Sequence, residues 1–138
     1  MIKEKTINIL GKDVRMRYCA AAEKGFEEIS GKDFNIFSPK TGRDENGNAI
    51  IIEPSTATPS DFLILGLACI VAAYSRTNEE PPITSDDILY EITREERDSI
   101  VIATSQLFAD WYNVTKVVAD VLAKEAEDIS EDEVEKNA

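Results

Sequence analysis

Paired carboxylates are the residues of this chain whose type and spacing come closest to catalytic chemistry. Asp86–Asp87 and Glu95–Glu96 are neighbouring acids of the kind that general acid–base catalysis employs. Each pair stands at the start of a predicted helix, however, where the helix dipole favours acidic side chains without any catalytic role. The chain has no histidine, so the Ser-His and Cys-His pairs of nucleophilic catalysis cannot form. We therefore predict that the protein is not an enzyme.

Metal and cofactor chemistry has equally few candidates in the sequence. Cys19 and Cys69 lie far apart among alanines and aliphatic residues, which predicts two small core residues instead of metal ligands. Residues 44–48 resemble a calcium loop in their acidic and amide side chains, but Gly47 stands at the fourth loop position and not at the sixth. We predict a solvated turn there, and no metal or cofactor site in the chain.

Composition and charge favour a binding or assembly role. A length of 138 residues suits one domain, and 43% hydrophobic residues are enough for a core. The formal net charge of −12 argues against nucleic-acid binding, which requires clustered lysines and arginines. The acidity is concentrated in residues 79–98 and 120–138, each with eight acids against two bases. Such segments are either solvated surface or regions that attract a basic partner.

The placement of apolar residues bears on location. The first ten residues contain no apolar run of signal-peptide length. The longest apolar run, residues 62–74, is shorter than the stretch of about 20 residues that a membrane-spanning helix needs. We therefore predict a cytoplasmic protein without membrane association.

Apolar periodicity predicts an α+β fold that is mostly helical. Alternating apolar and polar residues indicate an N-terminal β-hairpin, while helical spacing and capping signals indicate four helices. The capping signals include boxes of Thr58 with Asp61 and of Thr93 with Glu96. The C-terminal end is too polar to pack and is predicted to be a disordered acidic tail. The predicted elements are a hairpin at 6–18 and helices near 19–30, 59–75, 85–92 and 94–124 in one globular domain, 1–124, followed by the tail at 125–138.

Three of these helices carry specific expectations about burial. Phe26 and Ile29 share the predicted inner face of the first helix. Ile88, Leu89 and Ile92 share the predicted inner face of the third. The helix at 59–75 is apolar on nearly every side, which leaves either a central core position or an oligomer interface.

Two points of secondary structure stay open in the sequence. The apolar pieces 34–37 and 50–52 are candidates to pair as a second hairpin across a loop rich in turn formers. Asn113 is a candidate break in the C-terminal helix, which would divide it in two.

The C-terminal helix carries the candidate partner-binding residues. Its apolar residues recur on one helical face, which is typical of core packing. Trp111 and Tyr112 form an aromatic pair on this helix, and these residue types dominate binding hot spots. The sequence is compatible with either role for this helical face, core packing or partner binding. The candidate binding residues are Leu107, Phe108, Trp111 and Tyr112.

The order of these pieces resembles a known family. The hairpin has the form I-x-I-x-G-K-x-V-x-x-R-Y over residues 7–18, and the first helix closes with F-E-E-I-S-G-K, Phe26 to Lys32. A buried central helix, an acidic connector and a C-terminal helix with an acidic end follow. In this arrangement the chain resembles the tail assembly chaperones of long-tailed bacteriophages, including prophage-encoded copies.

The resemblance implies a mostly helical, self-associating protein without enzymatic activity. Proteins of this family coat the tape-measure protein, a long helical chain, and keep it soluble until tail-tube subunits polymerise around it. Many are also made as a longer frameshifted product whose extension binds the tube subunit. The implied partners are therefore the tape-measure protein, the tail-tube protein and further copies of the chain.

Two other functions fit the same sequence. A minor tail subunit or head–tail connector would remain in purified phage particles, whereas a chaperone is absent from them. A small bacterial adaptor unrelated to phage would be encoded away from tail genes.

Overall fold

The computed structural model describes the backbone of residues 4–127 and the side chains of residues 4–111. It confirms the predicted α+β class, mostly helical with an N-terminal β-hairpin. A 3₁₀ turn spans Phe34–Phe37 and a π-helical turn spans Asp87–Glu91. The other described elements are strands β1 (Glu4–Ile9) and β2 (Lys12–Arg17), helix α1 (Ala20–Ser30), strands β3 (Lys40–Arg43) and β4 (Ala49–Glu53), and helices α2 (Pro59–Arg76) and α3 (Arg94–Glu127).

The chain divides into two compact units. The first comprises Met1–Phe34 and Ala57–Trp111, and the second comprises Asn35–Thr56 and Tyr112–Ala138. The first unit therefore holds β1, β2, α1, α2 and the beginning of α3. The second holds the β3–β4 hairpin.

The β1–β2 hairpin buries one face, as its alternating sequence predicts. Val14 and Met16 of β2 are fully buried, as is Ile9 of β1. The strands are joined by Leu10 and Gly11, both with positive φ (53° and 76°), as the two-residue turn of a twisted hairpin requires. Within the first unit, α2 packs against β2 and against α1, which covers this apolar face.

Helix α2 begins with the capping box that its sequence predicts. The Thr58 hydroxyl accepts a hydrogen bond from the Asp61 amide, and the Asp61 carboxylate accepts one from the Thr58 amide. Asp61 is buried, and Lys32 donates a hydrogen bond to it at 2.9 Å. Burial alone would raise the pKa of Asp61, but the Lys32 ammonium and the Thr58 bonds outweigh it and hold that pKa below its usual value.

Helix α3 begins with the second predicted capping box, between Thr93 and Glu96. Glu96 also accepts a hydrogen bond from the amide of Leu10 at 2.6 Å, which joins the tip of the hairpin to the start of α3. The helix is continuous through Glu127, so Asn113 does not break it. The first three residues of the predicted tail are thus helical, and 128–138 lie outside the described residues.

The second unit corrects the pairing considered for residues 32–58. Ile50, Ile51 and Ile52 lie in β4, but their partner is β3 at Lys40–Arg43, and 34–37 forms a 3₁₀ turn. A short hairpin is favoured because closing a longer loop costs more conformational entropy. The turn is held by the carboxylate of Asp44, which accepts hydrogen bonds from the amides of Asn46 and Asn48.

The predicted third helix is shorter and wider than expected. Residues 85–86 are α-helical and Asp87–Glu91 form the π-helical turn, so that Ile92 lies outside it. Thr84 and Asp87 exchange the two hydrogen bonds of a capping box at the start of this helix. Ile88 is buried, whereas Leu89 is 51% exposed, so the prediction that Leu89 faces inward is wrong.

Candidate partner-binding surface

Three of the four residues predicted to bind a partner, Leu107, Phe108 and Trp111, lie at the packed side of α3 in the first unit. Leu107 is fully buried, and Phe108 and Trp111 are half-buried. The side chain of Tyr112 lies outside the described residues. The ring of Phe108 lies near three other rings, at centroid distances of 6.0 Å to Tyr18, 6.3 Å to Phe34 and 6.2 Å to Phe62. The ring of Trp111 lies 5.6 Å from that of Tyr18.

This aromatic cluster is anchored by Tyr18. The Tyr18 side chain is fully buried, and its hydroxyl donates a hydrogen bond of 2.7 Å to Glu23. Burial raises the pKa of Tyr18 well above its usual value, and the bond to Glu23 raises it further, so the hydroxyl stays protonated. The cluster therefore stabilises the first unit, and a partner-binding role for Phe108 and Trp111 stays a prediction.

An apolar groove lies elsewhere in the first unit, between α1, α2 and residues 80–89. It consists of a cavity of about 370 Å³ and an adjoining one of about 290 Å³, and Ile29 and Val71 line both. We call this feature the α1–α2 groove. Its deeper wall includes Ile70 and Ile88, which are almost completely buried.

Large apolar side chains are exposed along the edge of the α1–α2 groove. Ile29 is 49% exposed, Val71 45% and Leu89 51%. Single exposed apolar residues are ordinary on protein surfaces, but three that line one concavity form a continuous apolar patch. Such a patch is a candidate site of association with another chain.

Ile29 and Leu89 were predicted to face the core, whereas the helix that contains Val71 was predicted to be either a core element or an interface. Ile29 was predicted to share the inner face with Phe26, but Phe26 is fully buried and Ile29 is not. Val71 lies on a helix that is apolar on nearly every side, so no periodicity separates its covered from its uncovered residues. Exposure of these residues depends on which chain segment lies over them, and that is a tertiary property.

The described residues offer little for catalysis or metal binding. Among them, no group of three or more His, Cys, Asp or Glu side chains is placed to hold a metal ion. Both cysteines are free, and burial raises the pKa of the Cys69 thiol, which disfavours the reactive thiolate.

Helix α2 has an apolar sequence on nearly every side. By length and composition alone, it is the one helix among the described residues that could cross a membrane. Within the chain, 56% of that stretch is buried, and a core helix passes the same test. Its packing against β2 and α1 accounts for this apolar character.

Comparisons of the chain with family models, with curated proteins and with solved structures found no match. The α1–α2 groove is therefore identified by its geometry and chemistry alone, as an exposed apolar surface suited to binding another protein chain.

Proposed function

We propose that the protein is a non-enzymatic tail assembly chaperone of a long-tailed bacteriophage, acting in the cytoplasm of the bacterial host. It binds the helical tape-measure protein and keeps it soluble while the tail tube assembles. The observation that carries this proposal is the α1–α2 groove, with Ile29, Val71 and Leu89 exposed along its edge. A chaperone for a long helical chain needs such an uncovered apolar surface, because it must shield apolar stripes on that chain from water.

Two further features support this role. The hairpin and the F-E-E-I-S-G-K segment carry the resemblance to tail assembly chaperones. The net charge of −12 keeps a protein with an exposed apolar groove soluble, since mutual repulsion opposes aggregation. We also propose that the chain self-associates, and that the tail-tube protein is a second partner.

The proposal is tested by co-expression with the tape-measure protein encoded in the same tail gene cluster. The wild-type chain should move the tape-measure protein from the insoluble to the soluble fraction. Val71→Gln, which places an amide in the groove, should abolish most of this effect. Ile102→Gln is the matched control. Like Val71, Ile102 is an exposed aliphatic residue on a helix (57% exposed, against 45% for Val71), but it does not line the groove.

Three results would contradict the proposal. A tape-measure protein that stays insoluble beside the wild-type chain would refute the chaperone role. Persistence of the chain in purified particles would indicate a minor structural or connector protein. A gene with no tail genes beside it would favour a bacterial adaptor. Both variants should keep the melting temperature of the wild type, which separates binding from folding.

A further inference from the structure

We propose that the α1–α2 groove binds one class of ligand: an amphipathic α-helix whose apolar stripe is flanked by lysine or arginine. This inference rests on the proposed function in that it specifies which helices of the partner are recognised. It is carried by three properties of the groove, namely its apolar walls, its helical construction and its charge.

Apolar walls provide the driving force for binding. The larger cavity has a volume of about 370 Å³ and is open to solvent. Ile29, Val71 and Leu89 are each exposed to solvent over about half of their surface. An aliphatic side chain that enters the groove displaces the water and covers these residues.

The helical construction selects a helix and not an extended strand. Two walls of the groove come from α1 and α2, whose backbone N–H and C=O groups are paired within each helix, and the third wall, residues 80–89, contains no strand. An extended ligand would therefore find no strand edge here, and its own backbone groups would lose water without gaining partners. A helical ligand satisfies its backbone internally and packs its side-chain ridges between those of α1 and α2.

The charge of the groove selects basic flanks. Glu28 and Glu80 are the charged residues that line it, one on α1 and one at the start of the 80–89 segment. Neither side-chain carboxylate forms an ion pair or a hydrogen bond within the described part of the chain. The bases of the two helices, Lys24 and Arg76, do not line it. Lysine or arginine beside the apolar stripe of a ligand would face these two carboxylates.

The same carboxylates disfavour a second copy of the chain as the occupant. In a symmetric dimer formed through this groove, Glu28 and Glu80 of each copy would approach the same acids of the other. Like charges opposed across an interface weaken it. Self-association is therefore assigned to other surfaces.

The test uses the full chain and three synthetic helical peptides of about 18 residues, or five turns. All three share one leucine stripe, and their flanking positions are lysine, glutamine or glutamate. Binding is measured by fluorescence anisotropy at about 50 mM and about 500 mM salt, which changes the screening length severalfold. We expect the lysine peptide to bind tightest at low salt and the glutamate peptide to bind weakest.

Two variants of equal charge test the role of the carboxylates. In Glu28→Gln/Glu80→Gln, affinity for the lysine peptide should fall about fivefold at low salt, as expected for two exposed ion pairs. Its affinity for the glutamine peptide should not change. Glu45→Gln/Glu95→Gln also removes two acids, but neither residue lines the groove, so it should bind like the wild type.

The outcomes separate this inference from the proposed function. Equal loss in both double variants would show that total charge attracts the peptide, and would refute the role of Glu28 and Glu80. A glutamate peptide that binds as well as the lysine peptide would refute the selectivity. Peptide selectivity without an effect on the tape-measure protein would keep this inference and refute the chaperone function. Solubilisation of the tape-measure protein without peptide selectivity would refute this inference and support the chaperone function.

Discussion

Replacing Gly66 with alanine should destabilise the protein, although alanine is the better helix former. Gly66 lies in α2 where that helix meets α3. A Cβ atom at this position would lie 2.6 Å from Cγ2 of Ile100 and 2.6 Å from Oγ1 of Thr104. Both atoms are bonded directly to a Cβ, so they can move away only by a change of rotamer or a shift of α3.

The magnitude follows from two opposing effects. Alanine gains about 1 kcal/mol over glycine in a helix interior. An extra methyl group in a tightly packed core costs about 1–3 kcal/mol. Moving Thr104 would also strain the 2.6 Å hydrogen bond that its hydroxyl donates to the Ile100 carbonyl, which places the cost toward the upper end of that range. We therefore expect Gly66→Ala to lower the free energy of unfolding by about 1–2 kcal/mol.

Gly25 provides the matched control on α1. A Cβ there would lie 3.3 Å from Cβ of Ala68, a contact that a small adjustment relieves. The higher helix propensity of alanine then offsets the packing cost, and the free energy of unfolding of Gly25→Ala should stay within about 0.5 kcal/mol of that of the wild type. Urea denaturation followed by circular dichroism measures both variants. A Gly66→Ala protein that is as stable as the wild type would refute the close packing of α2 on α3.

Three other perturbations have expected outcomes. Hydrogen bonds from the amides of Thr93 and Leu10 hold the pKa of Glu96 in the folded protein below its ordinary value of 4.5. These bonds therefore stabilise the fold fully above pH 4.5, and the stabilisation is lost as the pH falls through the lower pKa of the folded state. Glu96→Gln should therefore lower the melting temperature at neutral pH, and the melting temperature of this variant should fall less than that of the wild type when the pH is lowered. An equal fall in both proteins would contradict this prediction. Trp111→Ala should impair partner binding or self-association, measured by pull-down and light scattering, while the fold survives; complete unfolding would assign Trp111 to the core alone. Deletion of residues 125–138 should leave the melting temperature nearly unchanged in calorimetry, and a large fall would show that this segment packs.

Local signals in the sequence predicted the elements of this fold well. The alternation around Val14 and Met16 predicted the first hairpin, and the capping boxes at Thr58 and Thr93 predicted where α2 and α3 begin. Such signals succeed because hairpin alternation and helix caps depend on residues that are close in sequence. The β3 strand was missed because Lys40–Arg43 has no apolar residue, and its pairing depends on the turn at Asp44.

The α1–α2 groove could not be predicted in the same way. Ile29 and Val71 have the residue types and the helical positions of core residues, and only the path of the rest of the chain leaves them uncovered. The helix at 59–75 was predicted to be either a core element or an interface. Most of α2 is buried in the structure, while Val71 is exposed in the α1–α2 groove. Which side chains of such a helix are covered depends on the tertiary structure, because its apolar sequence does not distinguish them.

The contact between Leu10 and Glu96 also has a consequence for how the protein folds during synthesis. The two residues are 86 positions apart, and the apolar face of the hairpin is covered by α2, which comes much later in the chain. An isolated two-stranded hairpin is marginally stable in water. The N-terminal strands therefore cannot form a stable hairpin until α2 has been synthesised, and the hydrogen bond at the hairpin tip cannot form until Glu96 has left the ribosome. A nascent chain that stalls before this point exposes the residues of its own core to other proteins.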